Sequence, residues 1–212
     1  MVTQTMDDLH ETIDQLKHST IRMTIQKRIQ EFKNINNGSS DELFQELCFC
    51  ILTANFSAER CIQIHSQLKA CFCTETKDTL VKKLKEKGYR FPNTRAAYIV
   101  KSASKKDLLP TILMKLKGDE RRTWLVQNIK GLGYKEASHF LRNIGYDDYA
   151  IVDSHIIDIL VRYRLITRPK TLTKKTYMDI EAILRRLAYQ TQLTLAELDL
   201  YLWYLETGKI LK

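Results

Sequence analysis

Apolar residues recur at helical intervals along nearly the whole chain. Leu9, Ile13, Leu16, Ile21, Ile25, Ile29 and Phe32 form one interrupted stripe, so helix is predicted from Met6 to Phe32 with a break near Ser19 and Thr20. Asn34 to Ser40 is a loop by composition, and Ser40 is expected to cap the next helix. That helix points Leu43, Phe44, Leu47, Cys48, Ile51 and Leu52 inward; being apolar almost all round, it should lie at the centre of its lobe. Ser57, three before Arg60, starts another helix that runs through Ile62, Ile64 and Leu68. A charged helix follows from Lys77 to Lys87, then one capped by Asn93 over Thr94 to Ser102, then Leu108 to Leu116 and Glu120 to Ile129. Further helices are predicted from Lys135 to Ile144, from Asp153 through Val161, from Thr176 to Tyr189, and from Leu195 to Leu205 behind Thr194. Strand-like alternation is scarce, and with 7 Gly and 3 Pro the pattern specifies an all-α fold.

Composition narrows the class without naming a function. The 212 residues, 44% of them hydrophobic, suffice for one large or two small domains, and no internal repeat is visible. A formal net charge of +9 suits a polyanionic partner such as nucleic acid, or simply a protein with excess lysine. Arg121 and Arg122 are expected to be solvated. The five cysteines (Cys48, Cys50, Cys61, Cys71 and Cys73) are odd in number and lack Cys-x-x-Cys spacing, so buried thiols are expected rather than disulfides or a metal site. Met1 to Glu11 has no apolar core for a leader, and no run of about eighteen apolar residues occurs, so a soluble intracellular protein (cytoplasmic, or at the nucleoid) with no membrane partner is expected.

One stretch concentrates the chemistry. Ile129-Lys130-Gly131-Leu132-Gly133-Tyr134-Lys135 puts two glycines around one apolar residue between two helical patterns. Glycine permits a tight turn and a close backbone approach. A turn of this kind at a helix start can present N–H groups to a phosphate, or can simply join two packed helices. A lysine there carries its charge against the positive end of a helix, and a neutral lysine amine is a nucleophile toward a carbonyl carbon. Asp153, in Ile151-Val152-Asp153-Ser154-His155, reads as an N-cap by itself.

The string of hairpin and later aspartate resembles the helix-hairpin-helix motif of the DNA glycosylase superfamily. Three further stretches are similar to one branch of its 8-oxoguanine DNA glycosylases, a short form common in archaea: Phe49-Cys50-Ile51-Leu52-Thr53-Ala54-Asn55-Phe56, Gly133 to Asn143, and Leu198-Asp199-Leu200-Tyr201-Leu202-Trp203-Tyr204-Leu205. The likeness spans roughly Ile25 to Lys212. No cysteine follows Cys73, so the C-terminal iron–sulfur loop of some glycosylases is missing.

The resemblance implies two helical lobes, with the helix-hairpin-helix of about residues 120–145 at the mouth of the cleft between them. Residues 36–148 would form the central lobe, and residues 1–35 plus 149–212 the second. It implies Lys135 as nucleophile and Asp153 as catalytic carboxylate. Gly131, Gly133 and His155 would contact phosphates, and Asn55 and Arg60 the base left unpaired. Phe91, Trp203 and Lys212 would form the pocket for the extruded base; by residue type alone Phe91 and Trp203 are as readily core, and His155 a packed histidine. Damaged double-stranded DNA is the implied partner of a monomer. No redox cofactor is needed, and the hairpin carbonyls of this motif often hold K⁺ or Na⁺. The implied activity is excision of 8-oxoguanine through a lysine Schiff base, followed by β-elimination at the abasic site. The competing classes are a glycosylase for another lesion without lyase activity, against which Lys135 argues, and a non-catalytic helix-hairpin-helix module, which needs neither Asp153 nor a base pocket.

Overall fold

The computed structural model describes residues 5–212, all of whose regular elements are helices. Residues 1–4, part of the Met1 to Glu11 stretch considered above, lie outside them. In chain order the helices are α1 (Met6–Lys17), α2 (Ile21–Asn36), α3 (Ser40–Thr53), α4 (Ala58–Leu68), α5 (Cys71–Thr74), α6 (Lys77–Glu86) and α7 (Pro92–Ala103). They continue as α8 (Leu109–Lys115), α9 (Gly118–Asn128), α10 (Tyr134–Asn143), α11 (Ser154–Arg162), α12 (Lys174–Thr191) and α13 (Leu195–Thr207).

Backbone contacts divide the chain into two compact units. One joins the residues up to Lys33 to Gly145–Leu211; the other is Asn34–Ile144 with Lys212. The first boundary falls before residue 36 and the second before residue 148, because Gly145 lies on α2. At φ +88 it sits so close that a Cβ there would be 2.8 Å from Lys33 Cα. Lys212 departs from the expected division outright: its ammonium pairs with Glu46 and lies over the Phe49 ring, both on α3.

In the first unit α1 packs on α12 and α13, and α11 and α12 pack on α13. Ile25, Phe32, Leu200 and Tyr201 share one fully buried cluster. The chain's two ends are also tied by polar bonds, as Lys17 Nζ donates to the Thr191 carbonyl at 2.6 Å. In the second unit α3 is the central helix, in contact with α4, α5, α7, α8 and α10. Its residues Leu43, Phe44 and Leu47 through Leu52 are all buried, as an all-round apolar surface requires.

Side-chain caps start α3, α4, α6, α11, α12 and α13, and two helix starts depart from the sequence reading. Ser39, not Ser40, caps α3, in a reciprocal capping box with Glu42. Phe91, not Asn93, stands at the cap position of α7, because Pro92 with its fixed φ takes the first helical position. Thr194 caps α13 as expected, and Thr173 caps α12. All five cysteines are free; Cys48, Cys50 and Cys61 are buried, but Cys71 and Cys73, on a short helix the pattern did not reveal, are only half-buried. No described helix is long and apolar enough to cross a membrane.

Candidate active site

The hairpin between α9 and α10 is built on its apolar residue. Leu132 is buried, and its N–H donates to the Ile129 carbonyl at 3.4 Å, closing the turn. Gly131 takes φ +94, and a Cβ there would stand 2.4 Å from the Tyr98 ring of α7. Both the backbone conformation and the close approach of α7 therefore demand glycine at 131. Gly133 is the cap residue of α10, and its N–H donates to Glu136 Oε2 at 3.1 Å. That N–H, expected to face a phosphate, is thus engaged by the chain's own carboxylate.

Beneath the hairpin lies Arg122, which is 1% exposed rather than solvated. Its guanidinium meets Asp119 Oδ1 at 2.9 Å on its own helix, donates to Ser138 Oγ at 3.2 Å on α10, and lies 5.6 Å from the centre of the Tyr134 ring. One arginine so clamps the two helices of the hairpin together. Arg121 is half-buried, its Nε donating to the Leu113 carbonyl at 2.8 Å.

Lys135 is the second residue of α10. Its side chain is 29% exposed, with Nζ 3.2 Å from Glu136 Oε1. Glu136 therefore serves the helix start with one oxygen and the lysine with the other. The lysine charge also reaches inward: it opposes the burial that pushes the Cys61 thiol up to about 12. Burial, seconded by the charges of Arg142 and Lys135, holds the His139 imidazole well below its usual range.

Asn55 and Arg60 flank the turn between α3 and α4. Asn55 is exposed at φ +60, a left-handed conformation that asparagine tolerates better than most residues. The turn is fixed from below. Arg95 Nη2 donates to the Ala54 carbonyl at 2.8 Å, and Tyr89 OH to that of Leu52 at 2.7 Å. Arg60 is exposed, with its guanidinium 5.6 Å from the Phe56 ring centre. Phe91 is half-buried, and Arg90 and Arg95 approach its ring to 4.9 and 5.8 Å. Arg95 thus joins the Asn55 turn to Phe91.

Lys212 enters a buried polar group on α3 and α10. Glu46, 2% exposed, receives the Lys212 ammonium on Oε2 and the Asn143 side-chain amide on Oε1 at 2.7 Å. The ammonium lies 4.8 Å from the centre of the Phe49 ring, whose edge contacts reach His139 and His65. Burial, with the Lys212 charge as its second cause, pushes His65 down to about 4.

In the other unit, Asp153 caps α11 and accepts the Ile156 N–H on Oδ1 at 3.0 Å. The extended run before it is held by α12. Tyr177 OH donates to the Ala150 carbonyl at 2.7 Å and accepts from Val152 N–H at 3.2 Å, while Glu181 accepts from Ala150 N–H at 3.2 Å. His155 and Trp203 stand edge to face at 4.7 Å, and the buried Trp203 Nε1 has no hydrogen-bond partner among the described residues.

The sequence reading missed Glu46, Asn143, His139 and Arg122. Only Glu46 left a signal: it is an acid in the middle of a helix, directly before the apolar run Leu47 to Leu52. Among the described residues no group of three or more His, Cys, Asp or Glu is arranged to hold a metal.

A family model described as 8-oxoguanine DNA glycosylase matches residues 25–193. The "8-oxoguanine DNA glycosylase/AP lyase" of Methanocaldococcus jannaschii is 50% identical over 94% of this chain and 97% of its own length. That of Korarchaeum cryptofilum is 47% identical over 98% and 99%. The crystal structure of the M. jannaschii glycosylase/lyase in complex with a 15mer DNA containing 8-oxoguanine superposes with a TM-score of 0.93, at 49% identity over 96% of this chain and 99% of that one. The 8-oxoguanine DNA glycosylase of Thermotoga maritima gives 0.92, at 38% identity over 98% and 100%.

Proposed function

The chain belongs to the 8-oxoguanine DNA glycosylase family, and from that membership we propose how its residues carry out the reaction. The protein is an 8-oxoguanine DNA glycosylase and AP lyase that acts on DNA. The half-buried amine of Lys135 behind the glycine hairpin carries the mechanism. With the damaged nucleotide out of the stack, Nζ bonds to C1′ of the sugar. The C1′–N9 bond breaks, its electrons leave with the base, and the base takes up a proton. Nζ gives up a proton, the C1′–O4′ bond breaks with its electrons and a proton going to O4′, and the amine and C1′ are left joined as a protonated Schiff base. A C2′ proton is then lost, and its bonding electrons form the C2′–C3′ double bond as the 3′ phosphate is expelled. Asp153, fixed by its cap bond, stabilises positive charge on the sugar as the base leaves.

Asn55 and Arg60 contact the base left unpaired, and the exposed, rigidly seated turn that carries them supports this. Gly131 and His155 approach phosphates. Gly133 serves the turn itself, since its N–H is engaged. Phe91, Trp203 and Lys212 receive the extruded base; the unpartnered Trp203 Nε1 and the firmly held Lys212 ammonium support that assignment. Backbone carbonyls at a tight turn suit an alkali cation, so K⁺ or Na⁺ on the hairpin oxygens belongs to this reading, where it would offset phosphate charge. The enzyme works as an intracellular monomer on nucleoid DNA.

Borohydride reduces a protein–DNA Schiff base to a stable bond. A duplex carrying 8-oxoguanine, incubated with the protein and borohydride, is expected to yield a covalent adduct that Lys135→Gln abolishes. Base release with no adduct, or an adduct that survives Lys135→Gln, would overturn Lys135 as the nucleophile.

A further inference from the structure

We propose that Glu46, steadied by Asn143, is the residue that positions Lys212 for reading the oxidised base. The proposal rests on the reading of Lys212 as a base contact.

A carboxylate 2% exposed is costly to bury unless its charge is matched and its oxygens are bonded. Among the described residues Glu46 meets both conditions through two partners: the Lys212 ammonium on one oxygen and the Asn143 amide, at 2.7 Å, on the other. Glu46 stands in the middle of the central helix of its unit, among buried Leu43, Phe44 and Leu47 through Leu52, where packing alone calls for another leucine. Replacing such an ion pair by apolar groups is often neutral or stabilising. Stability therefore does not explain the acid; holding the lysine does.

A lysine stem has high rotamer freedom. Glu46 removes it, and the Phe49 ring, 4.8 Å from the ammonium, confines the same group from another side. The cluster also holds two buried polar atoms with no hydrogen-bond partner among the described residues, Asn143 Oδ1 and His139 Nε2. His139 touches the Phe49 ring, its centroid 5.7 Å away, and the backbone of Lys212 acts on its imidazole. Interiors rarely leave such atoms unpaired unless water, an ion or a polar ligand completes them. A purine with an oxidised five-membered ring, which presents a donor and a carbonyl side by side, is of the chemistry that fits an acceptor and an imidazole nitrogen.

The test compares two reactions of the full chain in single turnover: excision of 8-oxoguanine, and cleavage of a preformed abasic site, which has no base to read. The readout is the ratio of the two rate constants. Glu46→Gln keeps the shape and removes the charge; it is expected to lower the ratio by about tenfold or more. Lys212→Met should lower it similarly, and the double variant no further, since the two act as one unit. Equal slowing of both reactions in Glu46→Gln would overturn the proposal, because a residue that only holds the fold affects both alike. A ratio lowered by Lys212→Met but not by Glu46→Gln leaves the base contact standing and overturns the positioning role. An unchanged ratio in Lys212→Met removes the base contact and the proposal with it. Should Glu46→Gln not fold, Glu46→Asp retains the charge and withdraws it by one methylene; a smaller fall in the ratio is then expected, and no fall overturns the proposal.

Discussion

Asp153 spends one oxygen on the Ile156 N–H, and asparagine makes that same bond at a helix start. Asp153→Asn therefore removes a charge while leaving the cap in place. Its unfolding free energy should stay within about 0.5 kcal/mol of the parent. Excision should slow by roughly a hundredfold or more if the carboxylate stabilises a developing cation. Duplex affinity, measured by titration under the same conditions, should change far less; equal losses in rate and affinity would count against a catalytic role. Asp153 was legible in the sequence because capping is local: the carboxylate and the N–H it accepts lie three residues apart. Glu46 and Arg122 were not. An acid in an apolar helix does not disclose that its counter-ion is Lys212, and an arginine next to another arginine looks solvated until Ser138 and Tyr134 close over it.

At the scale of the element, periodicity located the helices well and their first residues less well. Pro92 displaced the start of α7 from Asn93, and the short α5 has too few residues to show a stripe. What periodicity cannot convey is the electrostatic state of a buried face. His65 on α4 donates from Nε2 to the Gln45 carbonyl at 2.9 Å and stacks on Phe72, and burial with the Lys212 charge pushes it down from 6.5 to about 4. Unfolded, the imidazole binds its proton near 6.5; folded, it resists until about pH 4. Between those values the unfolded chain holds more protons, so the contribution is full above pH 6.5 and is lost as pH falls toward 4. The loss amounts to roughly 3 kcal/mol. Denaturant unfolding at pH 7 and pH 4 should show His65→Phe losing less stability over that interval than the parent. Parallel losses would mean that His65 is not held neutral.

Over the whole molecule, a unit assembled from both ends of the chain was accessible only by likeness to a family. No local pattern says that α1 packs on α12. The net charge, by contrast, is visible in composition, and its meaning changes once DNA is the substrate. A charge of +9 left nucleic acid and mere lysine excess undivided; an enzyme that must hold a duplex while a nucleotide is out of the stack gives the excess a purpose. Each phosphate a cation neutralises releases bound counter-ions, so affinity falls with salt at a slope of about −0.9 per contact. Three or four such contacts predict a weakening of roughly 40- to 150-fold between 50 and 200 mM salt. Arg60 is exposed on a turn that Arg95 and Tyr89 hold rigid, yet its assigned partner is an unpaired base. Arg60→Gln should therefore weaken binding while leaving the salt slope nearly intact, whereas loss of a phosphate contact lowers the slope by about one. Fluorescence anisotropy with a duplex containing 8-oxoguanine, titrated at several salt concentrations, separates the two. A flat salt response would remove the electrostatic basis of binding. A slope that falls by one in Arg60→Gln would move that residue from the base to the backbone.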